Sequence, residues 1–184
     1  MPVTTAPLTA LQTGTRTAPR TTASGATTDP RAGKYLVFQI RGEAFGVGVL
    51  KVREIMKVQE ATPVPQTPPF VKGVINLRGK VIPVVDLRLK FGLPEAEHTA
   101  RTCIVVVHTQ SAGGGLLMGI IVDGVEEVLT LSAADIEDTP DFGSGVARPY
   151  LLGVAKNKGG VKILLDIDQV LSNQELQGLG DLLR

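Results

Sequence analysis

At 184 residues, with a 43% hydrophobic composition, the chain has enough apolar side chains to fill a core of ordinary size. Lys plus Arg (19) and Asp plus Glu (18) nearly cancel, and aromatics are 4% with no Trp, so neither long-range attraction to nucleic acid nor base stacking is expected. The single cysteine, Cys103, excludes an intrachain disulfide framework or a CxxC metal site and suits a reducing cytoplasm, and no apolar stretch reaches the ~20 residues of a membrane-spanning helix.

In chain order, residues 1–33 are mostly Thr, Ala, Pro, Gly and Arg without periodicity, and are expected to form a disordered N-terminal tail. Arg16, Arg20 and Arg31 against a lone Asp29 resemble a transit peptide in composition, but Pro7, Pro19 and the glycines prevent a sustained amphipathic helix. From Lys34 the pattern changes to short apolar runs bounded by turns: KYLVFQI then AFGVGV, and later VKGVINL then KVIPVVDL. Such β-branched runs with Gly-containing turns predict antiparallel hairpins. Between them, Val52 and Ile55 are expected to form a small apolar edge on a short helical or turn segment. Pro83 inside VIPVV suggests an edge strand or a bulge, because proline cannot donate to a ladder. Asp86 precedes LRLKFG and Asp166 precedes IDQVL, positions where a carboxylate caps a short helix, with Gln169 placed for a capping box. The C-terminal SNQELQGLGDLLR has leucines near helical spacing and is expected to be a helix interrupted by Gly178 and Gly180.

The second half repeats the first. FVKGVINLRGKVIPVVDL (70–87) aligns without gaps on YLLGVAKNKGGVKILLDI (150–167), and FGVGVLKVREIM (45–56) on MGIIVDGVEEVL (118–129). The predicted fold is therefore mostly β: two small five-stranded barrels, about 34–95 and 100–171, with short helices and a C-terminal helical tail over 172–184.

The search for chemistry finds little. GVINLRGKV has five residues between its glycines where a phosphate loop has four, and Val81 follows Lys80 where Ser or Thr is required. FGSGV around Ser144 is not G-x-S-x-G, and five residues along one strand place Cys103 and His108 on opposite faces. DGVEE and DIEDTPD lack the glycine and terminal glutamate of a calcium loop, so no metal site or cofactor is expected. Arg78, between Leu77 and Gly79, is expected to project from a hairpin tip. A small serine or cysteine hydrolase using Ser144 or Cys103 is the reading from a different class, and stoichiometric labelling by a serine- or thiol-reactive probe would support it.

Together, FGVGVLKVREI, FVKGVINLRGKVIPVVDLRLKFG, GIIVDGVEEVL, YLLGV and ILLDIDQVL resemble the CheW family of bacterial chemotaxis coupling proteins over about residues 34–175. The resemblance implies two interlocked five-stranded SH3-like barrels and no enzymatic activity. It implies a cytoplasmic adaptor at membrane-bound receptor arrays, whose partners are the cytoplasmic signalling tip of methyl-accepting chemoreceptors, the regulatory domain of the histidine kinase CheA, and other CheW-like domains in array rings. It also places receptor contacts on Val49, Val52, Glu54, Ile55, Lys72, Gly73, Arg78, Met118 and Val125. Gly48, Arg53 and the GGG turn at 113–115 depart from the family pattern. An adaptor of a non-swimming chemosensory pathway is the narrower alternative.

Overall fold

The structure, a computed structural model, describes residues 29–111, 114–140 and 148–184. Its strands are β1 (Gly33–Ile40), β2 (Glu43–Gly48), β3 (Val52–Lys57), β4 (Val71–Leu77), β5 (Lys80–Asp86), β6 (Cys103–Ser111), β7 (Gly114–Val122), β8 (Gly124–Leu131), β9 (Ile136–Glu137), β10 (Leu151–Asn157) and β11 (Gly160–Leu165). The helices are short: α1 (Leu87–Lys90), α2 (Ile167–Val170) and α3 (Asn173–Leu182). No helix among the described residues is long and apolar enough to cross a membrane.

Among the described residues eleven strands form two sheets, ordered β8–β1–β2–β11–β10–β9 and β3–β6–β7–β5–β4. Each sheet draws on both halves of the chain, across the expected boundary at about residue 95. The β1–β2 hairpin joins strands of the second half through the parallel β2–β11 pair, and the β6–β7 hairpin joins β3, β4 and β5 through β5–β7. A hairpin leaves two edges unpaired, and each half covers them with strands from the other. Gly46 and Gly119, aligned by the repeat, occupy equivalent places in the two parallel pairs, opposite Leu164 and Val84.

Strands buried on both faces read as continuous apolar runs. In CIVVVH, Ile104 and Val106 face a core within the five-stranded sheet with Ile75, Ile82, Val84 and Ile121. Val105 and Val107 face the other way, into the main core between the sheets, with Leu36, Phe38, Val47, Val85 and Ile120. A third cluster, around Tyr35, Leu131, Ile136, Ala155 and Leu164, fills the six-stranded sheet.

Two cross-links tie the halves together, each with its cation in the first half and its carboxylate in the second. Arg88, just after α1 begins, donates to both oxygens of Asp123 (2.7 and 2.6 Å), and Asp123 also accepts from the Arg41 N–H at 2.7 Å. At the related position Asp168 accepts from Lys51 Nζ at 2.6 Å and from the Gln110 N–H at 2.8 Å.

Several local expectations change. Val52 and Ile55 lie on strand β3, preceded by a single 3-10 turn at Val49–Lys51. β5 is an interior strand, so Pro83 is not at a sheet edge. Its partner Val74 turns its own N–H and C=O towards Thr62 (2.9 and 2.8 Å), and the β7 ladder begins only at Val84, so no ladder bond is lost. Asp86 and Asp166 both cap their helices, accepting from Arg88 N and Asp168 N. Gln169 completes no box, because the Asp166 N–H is already given to Tyr150 O at 2.8 Å. Residues 1–28 of the expected tail lie outside the described residues, whereas Asp29–Ala32 form a turn clamped by Arg31, which binds Asp29, Asp138 and Leu152 O.

α3 runs unbroken through Gly178 and Gly180, fixed by a Ser172–Glu175 capping box and by Leu176 and Leu179 in the main core. A Cβ at either glycine would meet nothing within 4 Å. Gly178→Ala and Gly180→Ala are each expected to raise stability by about 0.5–1 kcal/mol, read as a higher urea midpoint with an unchanged slope.

Candidate functional site

The hairpin of β4 and β5 turns at Leu77–Lys80 with positive φ at both central residues, Arg78 (51°) and Gly79 (84°). That geometry matches the twist of a two-residue hairpin, and Asn76 Oδ1 secures it by accepting from the Gly79 N–H at 2.8 Å. A left-handed conformation is unfavourable for arginine, so its side chain is presented at some local cost. Arg78 is 80% exposed, and donates to Glu54 Oε2 at 2.9 Å. The contact joins the hairpin tip to β3, at the far end of the same sheet; Ile55, the next residue on β3 and 45% exposed, points to the opposite face of that edge strand.

Next to this turn a cleft of about 590 Å³ is lined by Arg53, Gly79–Ile82, His108, Gly115–Leu117 and Leu183. Its cationic side chains, Arg53 and Lys80, have no carboxylate among the described lining residues, and Val81 contributes exposed apolar surface. His108 lies flat against Gly115, where a Cβ would sit 2.3 Å from its Nε2.

The other sequence-derived residues divide by burial. Val49, Val52 and Val125 are partly buried and pack on the main core, and Val125 belongs to the other sheet. Lys72 is half-buried on β4 and bonded to Glu95. Gly73 is buried, with its backbone against Thr62. Met118 is fully buried in the main core, on a strand that is apolar on both faces. The structure thus brings Glu54 and Arg78 together at the edge of the sheet where Ile55 is also exposed, and places Val81 and Arg53 in the cleft beside the Arg78 turn.

For the alternative chemistry, burial pushes the Cys103 thiol up, away from the thiolate a nucleophile needs, with a lesser opposing hydrogen bond from the Val125 backbone. Ser144 lies outside the described residues.

A family model described as the CheW-like domain matches residues 34–175. The chain belongs to the CheW-like family. It is 37% identical over 143 residues to Chemotaxis protein CheW of Klebsiella aerogenes, covering 78% of this chain and 84% of that one. It is 38% identical over 142 residues to Chemotaxis protein CheW of Rhizobium meliloti, covering 77% and 89%. Among solved structures, the scaffolding protein TtCheW from Thermoanaerobacter tengcongensis superposes with a TM-score of 0.68 at 31% identity, covering 78% of this chain and 97% of that one.

Proposed function

We propose that this CheW-like chain is a chemotaxis adaptor that links the cytoplasmic signalling tip of methyl-accepting receptors to the regulatory domain of the histidine kinase CheA. It works in the cytoplasm at membrane-bound arrays and catalyses no reaction of its own. The observation that carries the receptor reading is the Arg78 turn: an exposed guanidinium, anchored by Glu54, offers a directional charge along the β3 edge of the sheet, where Ile55 is also exposed. An amphipathic receptor helix fits such a surface, its apolar stripe on Ile55 and its polar edge on Arg78. Lys72 supports the rim, and Val49, Val52 and Val125 support it from beneath.

Four of the six exposed large apolar residues among those described also fall in repeat-related pairs, Ile55 with Val128 and Val81 with Val161, one of each pair on each sheet. At the intervening bulges Arg53 on β3 corresponds to Glu126 on β8, opposite charges at equivalent places. Two similar faces of unlike charge support docking to domains of the same fold, both the kinase regulatory domain and other CheW-like domains in array rings.

The test is Arg78→Glu, which sets two carboxylates against each other at the surface. Receptor signalling fragments are expected to co-sediment at least about tenfold less well, with fold stability changed by no more than about 1 kcal/mol. Unchanged co-sedimentation would remove the receptor from this surface. Reconstitution of the chain with receptor fragments and CheA, scored for kinase activation, tests the pathway.

A further inference from the structure

The two hairpins aligned by the internal repeat differ in what fills the space beneath their turns. In β4–β5 the inner cross-strand pair is Ile75 with Ile82, with Leu77 packed alongside. In β10–β11 the same register holds Ala155 opposite Lys162, with Asn157 in place of Leu77. Small Ala155 leaves room for a lysine stem, and Lys162 is only 3% exposed.

Its ammonium is poorly served. Nζ lies 3.4 Å from both Asn157 Oδ1 and Gly159 O, beyond the ordinary range for an N–H···O bond. Asn157 Oδ1 already accepts from the Gly159 N–H at 3.0 Å. No carboxylate among the described residues lies within ion-pair distance, since neighbouring Glu137 is bonded to Lys156 at 2.7 Å. Three N–H donors thus share two distant acceptors. A buried cation in that condition lowers the stability of the free protein, which calls for another reason for its presence. The covering residues are two glycines: a Cβ at Gly159 would crowd Nζ at 3.1 Å, and one at Gly160 would meet nothing within 4 Å. Lys158 stands exposed at the same turn.

We propose that the β10–β11 turn is a carboxylate subsite, in which Lys162, assisted by Lys158, receives an acidic side chain of the protein partner docked on the six-stranded sheet. A single carboxylate matches one buried ammonium and one exposed one. The turn's Gly159 N–H, which a phosphate would also need, is already committed. The assignment of that partner rests on the adaptor reading: the receptor uses the Arg78 turn of the other sheet, and of the two remaining partners, the kinase regulatory domain and other CheW-like domains, the kinase domain is the one assigned to this turn.

The test uses the full chain with Lys162→Met, which keeps the stem and removes the charge, and with the exposed Lys158→Met. Free Lys162→Met is expected to have a higher urea midpoint than the wild type, yet to bind the CheA regulatory domain about tenfold more weakly with receptor binding unchanged. Lys158→Met should weaken the kinase domain by a smaller factor at constant stability. One Asp or Glu of the kinase domain, replaced by its amide, should lose affinity non-additively with Lys162→Met. A lower midpoint with unaltered affinity would make Lys162 a brace for the turn and overturn the proposal. Saturable acetate or phosphate binding that is lost in Lys162→Met would overturn the protein partner in favour of a free anion. Wild-type chain that binds receptor but not the kinase domain overturns this assignment alone, and chain that binds neither overturns the adaptor reading itself.

Discussion

Gly73→Ala is expected to destabilise the protein by about 3 kcal/mol or more, read as a large fall in the urea midpoint. Gly73 has φ +135°, a conformation that L side chains rarely adopt, and a Cβ there would lie 2.1 Å from Thr62 O and 2.6 Å from Thr62 C. Backbone atoms cannot swing aside as a side-chain end can, so the 58–69 segment would have to leave the edge of β4. Its two bonds there, Thr62 N to Val74 O (2.8 Å) and Val74 N to Thr62 O (2.9 Å), would be lost, leaving that edge uncovered. The repeat supplies an internal control. Gly153 holds the same place on β10 beside β9, where a Cβ would lie 2.6 Å from Glu137 O. Gly153→Ala should therefore damage the other sheet by the same mechanism. Urea denaturation of both variants measures the effect, and a loss below about 1 kcal/mol at either position would contradict the close approach. The resemblance placed Gly73 among the receptor contacts. Loss of receptor binding in Gly73→Ala must accordingly be compared with Arg78→Glu, which disturbs the surface without the packing.

That glycine shows what the sequence made legible and what it concealed. A glycine shared by both repeats announces a backbone requirement, but only the fold reveals that the requirement is an approach by Thr62 or Glu137. Hairpins were legible because their signals are local: apolar runs around Arg-Gly or Gly-Gly turns. The exchange of hairpins between halves was not, because periodicity says which face is buried and not which strand lies alongside. Met118 shows the same limit. LLMGIIV is buried towards its C-terminal end on both faces, and only the family resemblance named Met118 as a contact. For α3 the readable signal was the S-x-x-E of Ser172 and Glu175, and its capping together with Leu176 and Leu179 outweighs two glycines. The charge pair of Glu54 and Arg78 was not legible, since residues 24 apart carry no local pattern that joins them; the family resemblance named each only as a receptor contact.

Asp123→Ala is expected to cost about 2–4 kcal/mol, because it removes three hydrogen bonds at a junction between the halves. The guanidinium of Arg88, 19% exposed, would be left facing the gap without its counter-charge, and the Arg41 N–H would lose its acceptor. Arg88→Met should cost less, since Asp123 is 28% exposed and retains the Arg41 N–H. The double variant should cost less than the two singles together, and that shortfall measures the pair. Acid sensitivity gives a second readout. Burial raises the Asp123 pKa, but the hydrogen bonds from Arg88 and the Arg41 backbone outweigh it and hold the carboxyl below its ordinary value. A depressed folded-state pKa means the stabilisation is complete above the ordinary Asp range, about 3.9, and is lost as pH falls from there through the lower folded value. Below about pH 5 the stability of Asp123→Asn should therefore fall less steeply with pH than that of the wild type. Glu175 acts in the same sense, with burial opposed by Lys90 and Ser172, so the slope should lessen without vanishing. Equal slopes in wild type and Asp123→Asn would mean that this cross-link adds nothing to the joining of the halves. The Lys51–Asp168 pair would then be the stronger of the two.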